Sequence, residues 1–172
     1  MASTPATNAA APAASFKPFF QRISQGEDRH ADVLACCAML CNKSLAEIFK
    51  QAETLGLPKV GPYWLYADGD FIARLLAAHG LVATVWKEAK SYNDLPEVSL
   101  ALVSYDESYE VGRAVIYHRN TSADAKTAQP YVVDHYPHTD SKLHVRMGTA
   151  ALAELPPSWY IGVTQMNKTA GK

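Results

Sequence analysis

Three cysteines, Cys36, Cys37 and Cys41, fall within six residues of one another, and the chain has no others. A thiol becomes a nucleophile when a neighbouring base or the positive end of a helix converts it to thiolate. An imidazole to take the proton and a carboxylate to orient that imidazole complete such a set. Cys36 or Cys37 with His118 and Asp134 is therefore one candidate constellation. The alternative for these cysteines is a role as small buried hydrophobes. Cys37 and Cys41 share a helix face at a spacing of four, but no third cysteine stands elsewhere to join them around a metal. His135, His138, Asp140 and His144 crowd into ten residues around Pro137. Such a loop presets no ligand geometry, so these are read as solvated side chains, with no metal and no cofactor expected. An odd cysteine count in one segment is no disulfide framework and suits a reducing compartment.

These groups must be positioned by the surrounding elements. Asp32 to Cys41 is apolar and Ala-rich, long enough for a buried helix, with Asp32 as N-cap or first-turn acid. Ser44-Leu-Ala-Glu47 is a capping box that opens a helix to about Thr54, with Gly56 as its stop. A third helix is predicted from Gly69 to His79, closed by Gly80. Beyond Gly80 the texture turns to short Val-, Ile-, Tyr- and Trp-rich runs. Leu81–Lys87, Ser99–Tyr105, Arg113–His118, Tyr131–His135 and Trp159–Thr164 read as five strands. A short helix at Thr149–Leu155, capped by Thr149, precedes Pro156-Pro157. Helices followed by strands give an α+β class, with the N-terminal helices packed on a mostly antiparallel sheet of about five strands. The Cys36 helix is expected against a sheet that includes Val115, Val132 and Val163.

Two longer motifs add a resemblance. The stretch Ala31-Asp-Val-Leu-Ala-Cys-Cys-Ala-Met-Leu40 follows Gln25, and Val111-Gly-Arg-Ala-Val-Ile-Tyr-His118 is followed by Tyr131-Val-Val-Asp-His-Tyr-Pro137. In this arrangement the chain resembles the papain-like cysteine peptidases of the double-glycine leader peptidase type, which process bacteriocin precursors. The resemblance implies a papain-like fold and places Asp32 in the nucleophile position, Arg113 in that of the histidine, Asp134 in that of the orienting acid and Gln25 at the oxyanion hole. A guanidinium keeps its proton and cannot serve as a base. The implied site is thus degenerate, and Asp32 and Arg113 are expected to form an ion pair across the helix–sheet seam. The expected function is binding of a peptide or protein segment without cleavage. The alternative is an active thiol peptidase or protein deamidase, of the kind a secreted bacterial effector would carry, using Cys36 or Cys37 with His118 and Asp134. Tyr63, Trp64 and Tyr66 after Gly61-Pro62 could line a peptide groove, or pack as core or lid.

Composition frames all of this. At 172 residues, with 48% hydrophobic and 19% charged residues, the chain suits one compact domain, placed at 16–166. Residues 1–15, nearly all Ala, Pro, Ser, Thr and Asn, are expected to be a disordered tail, and 167–172 a flexible end. With 16 Lys and Arg against 17 Asp and Glu, the chain has no basic excess to attract nucleic acid or anionic lipid. No apolar run reaches the roughly 18 residues of a membrane span, and no signal-peptide pattern opens the chain. A cytoplasmic location follows, with export by another route as the alternative.

Overall fold

The computed structural model describes residues 16–28, 30–61, 63, 67–121 and 129–166. The expected tails, Trp64 and Tyr66 lie outside them. Four helices and seven strands follow in chain order: α1 (Asp32–Cys41), α2 (Leu45–Thr54), α3 (Gly69–Ala77), β1 (Leu81–Ala83), β2 (Lys87–Glu88), β3 (Val98–Asp106), β4 (Val111–Arg119), β5 (Pro130–Val133), β6 (Val145–Met147), α4 (Thr149–Ala153) and β7 (Pro157–Gln165). The strands form an antiparallel sheet in the order β1-β7-β3-β4-β5-β6, with β2 also paired to β7. The architecture is α+β, as the order of helices and strands implied.

Local chemistry explains where these elements begin and end. In α1, seven consecutive residues from Leu34 to Leu40 are buried, as a helix without a polar face requires. It stops at Asn42, which takes the left-handed conformation at φ 50°. Ser44 and Glu47 form the reciprocal capping box of α2, and Asp68 caps α3 through the Phe71 N–H at 2.8 Å. The run expected as a single strand from Leu81 to Lys87 divides in two, because the Thr84 hydroxyl takes the Gly162 N–H at 2.9 Å. Strand β6 escaped the sequence reading: three residues with Arg146 at the centre carry no alternation to detect. Gly148, at φ 83°, rather than Thr149, occupies the N-cap of α4.

The sheet is covered on both faces, and side-chain parity assigns each residue to one of them. Leu100, Ala114, Ile116, Tyr131, Val133, Ile161 and Val163 join α1, α2 and α3 in the larger core. Ala101, Val103, Val115, Tyr117 and Val132 point the other way, into a second core closed by Leu95, Leu152 and Leu155. Val115, Val132 and Val163 all belong to the sheet as expected, but only Val163 faces the Cys36 helix.

Candidate functional site

The N-terminus of α1 meets the sheet at Ala114. The backbone N–H of Ala114 donates to Asp32 Oδ2 at 3.1 Å, and its carbonyl accepts from His135 Nε2 at 2.7 Å. The backbone of one residue thus holds the carboxyl and the imidazole together on the α1 face. His135 is wholly buried. Burial pulls its imidazole below its usual range, with the Asp32 charge opposing, and the same burial pushes the Asp32 carboxyl above the usual carboxylate range. Since a carbonyl accepts only from a donor, Nε2 carries the proton and Nδ1 is an acceptor. That Nδ1 is buried with no hydrogen-bond partner.

The expected Asp32–Arg113 ion pair is not formed. Arg113 shares the parity of Val115 and Tyr117, so its side chain leaves the opposite face of β4 from the one that α1 covers. There its Nη1 meets Asp134 Oδ2 at 2.8 Å and donates to Thr139 Oγ1 at 3.1 Å, and its guanidinium lies 5.6 Å from the centre of the Tyr136 ring. Asp134, fully buried, also accepts from the Tyr136 N–H at 3.0 Å. The acid that was to orient an imidazole instead anchors a guanidinium. The offset is one residue: the β4 position that faces Asp32 is Ala114.

Arg22 reinforces this corner from the N-terminal segment. Its guanidinium donates to the carbonyls of Asp134 at 2.8 Å, His135 at 3.1 Å and Tyr136 at 3.2 Å. Gln25 lines a hollow with Asp32 and Arg113. However, its Nε2 is engaged by the Asp28 carbonyl at 3.0 Å. One of the two amide N–H groups is thereby committed, and the buried Oε1 has no partner.

The thiol set is not assembled. Cys36 and Cys37 are wholly inaccessible, and burial drives both thiols up, with Asp32 adding to the effect at Cys36. Cys41, partly exposed, is pushed up to about 11 for the same reason. A nucleophilic cysteine needs the opposite shift. His118 lies four residues beyond Ala114 on the α1 face, about 13 Å along the strand, with its Nδ1 2.9 Å from the Tyr131 hydroxyl. Asp134 is on the other side of the sheet.

The remaining candidates separate as well. Tyr63 is 4% exposed, with its ring 5.3 Å from Phe49 in the larger core. Of the loop group read as solvated, His138 is exposed near Glu27 at 4.0 Å, Asp140 caps the turn at Ser141–Leu143, and His144 Nε2 lies 2.9 Å from the Thr139 carbonyl. His135 is the exception. The signal was present in the sequence: Tyr131, Val133 and His135 share a two-residue spacing, and the first two face the core.

Two hollows of about 320 Å³ each adjoin here. One is lined by Gln25, Asp32, Ser104, Asp106, Gly112 and Arg113 among others, the next by Gln25, Glu27 and His138, and both share Gln25 and Tyr136. A bulge in β3 between Val103 and Asp106, with Ser104 at φ 51°, shapes the first. No protein family and no curated protein matches the chain in sequence. Among the described residues, no helix is long and apolar enough to cross a membrane.

Proposed function

We propose that this chain is a peptide-binding domain without hydrolytic activity, built on a degenerate scaffold of the papain-like, double-glycine leader peptidase kind. The observation that carries the reading is at Ala114. Where a peptidase of that kind needs a free imidazole opposite the α1 N-terminus, this strand turns a methyl group to the helix and uses its backbone to hold Asp32 and His135. The paired hollows through Gln25 and Tyr136 support retention of the groove after loss of the chemistry. Recognition of an extended segment relies on main-chain hydrogen bonds and side-chain pockets, neither of which needs a nucleophile. The inaccessibility of Cys36 and Cys37 weighs against the thiol hydrolase alternative.

Selection of binders from a random peptide display library tests this. Selected peptides should lose about tenfold or more in affinity against Tyr136→Ala, which removes the ring shared by both hollows. Peptide cleavage by the wild-type protein that Cys36→Ala abolishes would overturn the reading, as would binders indifferent to Tyr136.

A further inference from the structure

The hollow beside the α1 N-terminus is lined by two carboxylates, Asp32 and Asp106, and by Gln25. Gln25, 3% exposed and lining both hollows, has its Oε1 buried without a donor. The Asp32 carboxylate receives the Ala114 N–H, and the Asp106 carboxylate receives the N–H groups of Ser108 and Tyr109. The cation that lines the same hollow, Arg113, is committed to Asp134 and Thr139. A buried acceptor left bare weakens the fold, and such a group calls for a partner.

From this arrangement we infer that the hollow between Asp32 and the β3–β4 hairpin takes the guanidinium or ammonium group of a basic side chain. Such a group brings several N–H donors and a positive charge, and no acceptor. Asp32 and Asp106 supply the compensating charge, and Gln25 Oε1 receives an N–H. The inference deepens the peptide-binding reading and rests on it for the source of the cation, an Arg or Lys within the bound segment.

The test uses the full-length protein labelled with nitrogen-15 and two small probes, N-acetyl-arginine-N-methylamide and its uncharged citrulline analogue. The arginine probe should shift the Ala114 N–H and the Gln25 side-chain amide in a saturable way, with the citrulline probe at least about tenfold weaker. Asp32→Asn keeps an oxygen for the Ala114 N–H while removing the charge, and should weaken the arginine probe by a similar factor. Equal response to the two probes, no response to either, or an unchanged response in Asp32→Asn would overturn the inference. Failure of the peptide-binding reading would appear separately, as binders from the display selection that ignore Tyr136.

Discussion

The two ends of strand β4 present opposite solutions to placing a histidine against α1. At the Ala114 end, His135 is sealed in and surrounded by charge: Asp32 beside it, and the Arg113–Asp134 pair across the sheet, clamped by Arg22. At the other end, His118 opens onto a cavity of about 650 Å³ lined by Phe20, Leu40, Leu81 and Val163. There the Tyr131 hydroxyl takes the Phe19 N–H at 2.8 Å and meets His118 Nδ1, and the Glu97 carboxylate is 3.9 Å from Nε2. The charged end has orienting groups but no accessible thiol. The roomy end has an imidazole but, among the described residues, no thiol nucleophile and no buried acid. Thiol hydrolysis needs both kinds of group within hydrogen-bond reach, and β4 keeps them about four residues apart.

The largest expected effect breaks the charged end. Arg113→Ala strands the buried Asp134 carboxylate and should reduce unfolding free energy by roughly 3–5 kcal/mol in urea denaturation. A double-mutant cycle sharpens this: Arg113 should couple strongly to Asp134→Asn and by less than about 1 kcal/mol to Asp32→Asn. Equal coupling to both would contradict the assignment of Arg113 to the face away from α1. Cys36→Ser, at the centre of α1, places a hydroxyl in a wholly buried position and should cost about 1–3 kcal/mol. The same thiol should resist iodoacetamide in the folded protein, with Cys41 the first to react.

Acid titration compares the two histidines directly. Burial lowers both imidazoles below the ordinary value of 6.5, so the unfolded chain binds more protons just below that pH. The stability each neutral ring contributes is fully present above 6.5 and is lost as pH falls, at up to about 1.4 kcal/mol per pH unit for one proton. Asp32, raised above 3.8, acts in the opposite sense, because its carboxyl binds a proton more readily folded than unfolded. His135→Gln should flatten the acid limb of a denaturation series more than His118→Gln, since His135 is the more deeply buried, and Asp32→Asn should steepen it. The smallest effect is a control distant from both ends. Ser44→Ala removes the capping-box hydroxyl of α2 and should cost about 1 kcal/mol without altering either histidine.

Much of the scaffold was legible because it rests on local chemistry. The α2 capping box, the unbroken apolar run of α1 and the strand runs around Leu100, Ile116 and Ile161 all declare themselves within a few residues. The candidate site was legible only in outline. Gln25, Asp32 and Arg113 do converge on one hollow, yet the expected pairing of Asp32 with Arg113 misplaces the partner by one position. His135 was set aside as a solvated loop residue, and Arg22, which holds three carbonyls of the same corner, attracted no notice because its partners lie more than a hundred residues away.

What the sequence by itself determined was which segments are helical, which are extended and which side chains must avoid water, since these follow from backbone propensity, capping and apolar spacing over short ranges. Only the tertiary structure decided the faces. Strand side chains alternate with a period of two, so a register slip of one residue exchanges the two sides of the sheet. The register of β4 is fixed by its pairing with β3 and β5. That pairing turns Ala114 and His118 toward α1 and Arg113 away from it, and so sets Asp32 beside His135 and Arg113 against Asp134.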